Sequence, residues 1–174
     1  GFNLKPLDIQ AAIGRIQLKR LDQFINKRKD NWMLLREYLN PLSEFIDFSL
    51  PTHAVVFDHN QSKWDDTGCI SSCSWFGFMI SIKNNSPFSR TELARELDAN
   101  NIGNRMFFGG NLLRQPAFAN IIKENPEKII TKEFYSGADN IMNNSLFLGT
   151  YPGLTKKMIE FEAEVISNFI SSKV

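Results

Sequence analysis

Eight residues, Trp75 to Ile82, constrain this chain most. Phe76, Phe78, Ile80 and Ile82 alternate with Trp75, Gly77, Met79 and Ser81. A period of two specifies a β-strand. Apolar residues on both faces predict a central strand covered on both sides, so the rest of the chain must supply neighbouring strands and a covering layer.

Candidates for that layer are legible. Ile9, Ala12, Ile13 and Ile16, then Leu21, Phe24 and Ile25, then Trp32, Leu35 and Leu39 recur at helical steps, which predicts one long helix or two in series over residues 6–39. Pro6 suits a helix start and Asp8 a first turn. Lys19, Arg20, Lys27, Arg28 and Lys29 read as solvated faces, because acids are interspersed among them. Pro41 ends this segment, and Phe45 to Leu50 suits a short strand. Residues 51–73 are polar and rich in turn formers, predicting a long loop with a piece of strand at Ala54–Phe57.

Ser89 and Glu92 form a capping box, each able to satisfy a free backbone N–H at a helix start. Leu93, Ala94 and Leu97 give that helix its apolar stripe. A second strand is expected over Ile102–Phe108, ended by Gly109-Gly110. A helical stretch over Leu112–Ile122 is interrupted at Pro116, one helical turn covers Asp139–Asn143, and a third strand covers Leu146–Leu148. Thr155 caps a last amphipathic helix carrying Met158, Ile159, Val165, Ile166, Phe169 and Ile170. The expected fold class is α+β: a short, mainly antiparallel sheet with helices on one face, preceded by a long linking helix. The expected division is a helical segment over 1–40 and a small domain over 41–174.

Composition excludes several classes of function. A net charge of +1 over 174 residues offers no basic surface for nucleic acid. No apolar run is long enough to span a membrane, and no leader-like segment opens the chain, so a cytoplasmic protein is expected. Cys69 and Cys73 cannot complete a four-ligand metal site by themselves, and His53 and His59 lack a metal-ligand pattern, so no metal site is expected here. Nucleophile elbow, phosphate loop and dinucleotide fingerprint are all lacking. The informative polar residues sit in apolar or glycine-rich surroundings. Asn3 and Lys5 flank the first helix start, where free N–H groups favour an anion, though by itself the position suits Asn3 equally to a turn-and-cap role. Arg105 lies inside an apolar strand, where its planar fork suits a carboxylate or a phosphate. Asn111 and Arg114 follow the Gly-Gly break.

Two sets of motifs add a resemblance. Gly1-Phe2-Asn3-Leu4-Lys5-Pro6, then Asp8-Ile9-Gln10-Ala11-Ala12-Ile13-Gly14 and Gln17-Leu18, resembles a segment of the DegT/StrS aminotransferase family. Ser74-Trp75-Phe76-Gly77-Phe78, Pro87-Phe88-Ser89-Arg90, Ile102-Gly103-Asn104-Arg105, Gly110-Asn111-Leu112-Leu113-Arg114-Gln115-Pro116 and Tyr151-Pro152-Gly153-Leu154-Thr155 follow in order. This set resembles the branch holding the CDP-6-deoxyhexulose 3-dehydrases of lipopolysaccharide O-antigen synthesis. Phe2 and Leu7 depart from the family's usual Tyr and Thr, and Leu7 cannot cap a helix with its side chain.

The resemblance implies the C-terminal part of a fold-type-I enzyme, working as a cytoplasmic homodimer with pyridoxal or pyridoxamine phosphate. It places Asn3 on the cofactor phosphate and Lys5, Arg105, Asn111 and Arg114 near a nucleotide-sugar. The implied reaction is loss of the C3 hydroxyl from a 4-keto-6-deoxy sugar, with the cofactor ring as electron sink. In such dehydrases a His stands in for the Schiff-base Lys. That residue, like any iron–sulfur ligands, is expected upstream of Gly1; a reductase is a possible partner, and the isolated segment is expected to be inactive. Two alternatives remain open: a sugar aminotransferase of the same family, and a non-catalytic dimerisation or regulatory module.

Overall fold

A computed structural model describes residues 5–48, 73–128 and 135–174, together with the backbone of residues 54–57, 62–64 and 70–71. Asn3, His53, His59 and Cys69 lie outside the described residues.

The N-terminal helical pattern resolves into two helices in series, α1 (Asp8–Leu18) and α2 (Leu21–Leu39). Leu7 has no side-chain acceptor to offer α1. Half of a capping box survives, because the Gln10 side chain accepts from the Leu7 N–H at 2.9 Å. Ile9, Ile13 and Ile16 are 74, 59 and 50% exposed, and α1 buries no residue, so its apolar stripe has no cover among the described residues. In α2, by contrast, Trp32, Leu35 and Leu39 are buried at three- and four-residue spacing. Lys29 on the same helix is also buried, contrary to the solvated face expected for it.

Strand β1 (Ile46–Asp47) follows a short turn of 3-10 helix through Pro41. Next come β2 (Ala54–Phe57), β3 (Ser62–Trp64) and β4 (Ile70–Ser71), an antiparallel sheet of their own in the order β2-β3-β4. The strand expected at Ala54–Phe57 is present as β2, while β3 and β4 correct the loop expected around it. The sheet ladder is made by backbone groups, so short polar strands can pair with no apolar alternation to announce them.

The main sheet comprises β1, β5 (Gly77–Ile82), β6 (Asn104–Met106) and β7 (Ser145–Gly149), all antiparallel in the order β1-β5-β7-β6. β5 is central as expected, pairing Ile82 with Ile46 on one side and Ile80 with Leu146 on the other, but the cover expected on both faces is complete on one only: Phe78 and Ile80 are fully buried, whereas Gly77 and Met79 on the opposite face are half-buried. Phe78, Ile80, Leu146 and Leu148 share one face and are fully buried. Against that face lie α2, α3 (Arg90–Ala99) and α6 (Lys156–Ser171), joined in one core through Leu93, Leu97, Ile159, Ile166 and Ile170. Ser89 and Glu92 form the expected capping box at α3, and Thr155 Oγ1 accepts from the Met158 N–H at α6. α4 (Pro116–Glu124) starts on its proline, after a 3-10 turn at Leu112–Arg114. α5 (Ser136–Asn144) extends the single turn expected near Asp139.

One feature of the central strand departs from simple alternation. Phe76 does not join Phe78. Trp75 takes the core side, stacking on Trp32 at 4.9 Å while Phe78 meets the same ring edge-on at 5.0 Å. Phe76 turns to the opposite face and packs on Phe147 at 5.7 Å. The chain bends at Phe76, immediately before β5 begins, and the bend resets which residues face the core.

Candidate functional site

The face of the sheet opposite the core carries the site. Arg105 on β6 pairs with Phe147 on β7, and Phe147 pairs with Met79 on β5, so these side chains project to one face. Gly77 borders them for a steric reason: a Cβ there would stand 2.6 Å from the Phe147 ring, so any other residue would displace it. Phe76, Phe108 and Phe147 form a layered cluster, with Phe108 at 5.9 Å from Phe147 and 6.5 Å from Phe76, both pairs 26° from parallel. Phe108 has φ +50°, in the left-handed region that side chains seldom adopt. The turn continues through Gly110 (φ +61°), which sits against Met142 with no room for a Cβ.

These rings wall a cleft of about 500 Å³, completed by Arg28, Arg105, Met106, Gly149, Thr150 and Tyr151. A second cleft, of about 530 Å³ and lined by Gln23, Phe24 and Lys27, shares Arg28 and Tyr151 with it. Arg28 donates to the carbonyls of Trp75 and Phe76 at 3.1 and 3.4 Å. Thr150 Oγ1 donates to the Trp75 carbonyl at 2.6 Å, and Asn31 Nδ2 to the Tyr151 carbonyl at 2.8 Å. Three side chains therefore hold the bend at Phe76 and the segment after β7. The Asn31 and Arg28 contacts escaped sequence reading, which took Arg28 as solvated. A signal was present: Arg28 precedes Trp32 by four residues, on the core-facing side of α2.

The sequence-derived candidates separate into three places. Arg105 lies in the cleft, exposed, with no hydrogen-bond or ion-pair partner among the described residues. Asn111 and Arg114 lie together elsewhere. The Arg114 fork grips Asp139 through Nε and Nη2 at 2.7 and 2.6 Å, and Asn111 Nδ2 donates to the same carboxylate at 2.8 Å. These hydrogen bonds hold the Asp139 carboxyl down at about 2 and push the Arg114 guanidinium up. Asn111 is buried and also caps the 3-10 turn, accepting from the Leu113 N–H at 3.1 Å. Arg114 Nη1 has no partner among the described residues, on a side chain 58% exposed. Lys5 is exposed in the segment leading to α1, apart from both groups. Asp139 was missed as a member of this cluster; its separation of 25 residues from Arg114 hides the pairing from any local pattern.

Among the described residues no cluster of His, Cys, Asp and Glu could hold a metal, and no helix is long and apolar enough to cross a membrane. Cys73 is a free, half-buried thiol.

The comparison with known families is decisive, since the model of the DegT/DnrJ/EryC1/StrS aminotransferase family matches residues 1–167. The chain belongs to this family. It is 37% identical over 169 residues to the lipopolysaccharide biosynthesis protein RfbH of Salmonella typhimurium, covering 97% of this chain and 33% of that protein. It is 34% identical over 171 residues to a dTDP-4-dehydro-2,6-dideoxy-D-glucose 3-dehydratase of Saccharopolyspora spinosa, covering 98% of this chain and 32% of that one. Among solved structures, Escherichia coli GDP-4-keto-6-deoxy-D-mannose-3-dehydratase with bound hydrated PLP superposes with a TM-score of 0.73 at 25% identity, over 95% of this chain and 36% of that one. An aminotransferase from Psychrobacter cryohalolentis gives a TM-score of 0.77 at 18% identity, a likeness of fold. The chain thus spans about a third of the length of the curated relatives it matches.

Proposed function

We propose that the protein carrying this chain is a nucleotide-sugar 3-dehydratase dependent on pyridoxal or pyridoxamine phosphate, acting on a 4-keto-6-deoxyhexose in deoxysugar or lipopolysaccharide synthesis. The observation that carries this reading is end-to-end similarity of the chain to relatives named as 3-dehydratases. A homodimer in the cytoplasm, with residues 1–40 linking to a cofactor-binding domain and 41–174 forming the small domain, belongs to the same reading, as do a partner reductase and an iron–sulfur centre elsewhere in the protein.

The start of α1 fits a phosphate. Its first-turn N–H groups are not closed by the Leu7 side chain, and the exposed Lys5 precedes them. We assign Asn3 to the cofactor phosphate and Lys5 to an anionic group of the substrate beside it. When bound, the cofactor supplies an electron sink for loss of the C3 hydroxyl. Arg105, whose fork is unengaged among the described residues, suits a substrate phosphate, while Asn111 and Arg114 set the loop beyond β6 through Asp139 and leave Arg114 Nη1 for a further contact.

Two measurements test this. The full-length protein, loaded with pyridoxal phosphate and treated with borohydride, should release its cofactor on washing, as a His at the Schiff-base position requires. Covalent retention would shift the reading to a sugar aminotransferase. Substituting Asn3→Ala should weaken cofactor binding by roughly 1.5–3 kcal/mol, the worth of a hydrogen bond to a charged group. Unchanged cofactor affinity would remove Asn3 from the phosphate site.

A further inference from the structure

We infer that Phe76 and Phe108 form a stacking platform for the planar base of the nucleotide, with Arg105 beside it to receive a phosphate of the same molecule. The inference rests on the nucleotide-sugar reading above and adds where and how the nucleotide is held. Phe76 and Phe108 are 66 and 72% exposed, yet their rings lie 26° from parallel to each other, and both pack on Phe147, Phe108 at 26° and Phe76 tilted at 51°. Large apolar rings presented in this way mark a binding surface. The polar groups of the cleft decide what it suits. Arg28 and Thr150 already donate to the Trp75 carbonyl. Arg105 is the cation there with no partner among the described residues. A hexose, with hydroxyls around its ring, would find few partners on this wall. A flat base with an attached diphosphate matches an aromatic surface next to one unpaired guanidinium.

The relatives add a constraint. One is named for a dTDP-linked sugar and another for a GDP-linked sugar, a pyrimidine and a purine. Stacking accepts either, since every base has a π-face. The left-handed turn at Phe108 supports the same role. A backbone conformation that disfavours a large side chain carries a phenylalanine, and its ring is left mostly in solvent.

The test uses the full-length protein and titrates GDP and dTDP by calorimetry at two salt concentrations. Phe108→Asn keeps a residue that tolerates the left-handed turn and removes the ring; Phe76→Leu removes the second ring; Arg105→Gln removes the charge. The two ring variants should each weaken GDP and dTDP roughly five- to hundred-fold while leaving the salt dependence of binding intact. Arg105→Gln should weaken binding and flatten its salt dependence, because a charge–phosphate contact is screened by ions. Ring variants that bind both nucleotides like the parent protein would overturn the platform. So would a fall in thermal stability with unchanged affinity, which would mark the rings as packed beneath another part of the polypeptide. If the parent protein binds neither nucleotide, the nucleotide-sugar reading itself fails and the platform with it. If the parent binds and the ring variants match it, the platform alone fails.

Discussion

The two faces of the main sheet share their strands and do opposite things. On one face Phe78, Ile80, Leu146 and Leu148 are sealed beneath α2, α3 and α6. On the other, Arg105 and Phe147 border a cleft, with the exposed rings of Phe76 and Phe108. Burial makes the first face a source of stability, because apolar area removed from water is the main favourable term in folding. The second face spends some of that stability on exposed rings and on a cation unpaired among the described residues, groups that gain when a ligand covers them. The lesson extends to the three polar candidates of the Ile102–Pro116 region. Asn111 and Arg114 are satisfied by Asp139, whereas Arg105 is not, so similar residues a few positions apart are split between holding a loop and meeting a ligand.

The contrast can be broken most forcefully at Phe78. Truncation to Ala should cost about 3–5 kcal/mol in denaturant unfolding, the usual penalty for emptying an aromatic core position. A loss below 1 kcal/mol would mean the sealed face is not sealed.

Glu162 sharpens the comparison from within the closed side. It is buried on α6, and desolvation pushes its carboxyl up from 4.5 to about 7. The folded state therefore holds its proton more tightly than the unfolded chain does. The resulting stability is fully present below pH 4.5 and is lost as pH rises through about 7. Glu162→Gln should then stabilise the protein at pH 8 by on the order of 3 kcal/mol and leave it unchanged near pH 4. Equal unfolding curves for both proteins at pH 8 would show that the carboxylate is compensated.

On the open face the effect should move from stability to activity. Arg105→Ala in the full-length enzyme should lower kcat/KM for the nucleotide-sugar roughly ten- to hundred-fold, with an unchanged melting temperature. A lower melting temperature at full activity would place Arg105 with the structural residues instead.

The smallest effect is expected at the Arg114–Asp139 pair, whose solvent exposure weakens it. The Asp139 carboxyl is held at about 2 against an ordinary 3.8, so its contribution is present above pH 3.8 and fades as pH falls through about 2. Asp139→Asn should lower the melting temperature slightly at pH 7, and the two proteins should converge in strong acid. A gap that persists there would assign the effect to something other than the charge.

Helix periods, caps and the central strand were open to sequence reading because each rests on local spacing: Trp32, Leu35 and Leu39 on one helical stripe, Ser89 with Glu92, and Phe78 with Ile80 and Ile82. The family motifs were legible for the same reason, being contiguous. Tertiary structure decided the rest. It turned Phe76 away from Phe78 at a bend held by Arg28 and Thr150, from 48 residues before and 75 residues after the groups they grip. It gave Arg114 a partner 25 residues distant and left Arg105 without one among the described residues. Local pattern records which way a side chain can point along its own element. Whether that side chain is sealed, paired or left facing an open cleft depends on which distant segment arrives opposite it, and that is settled only when the layers pack.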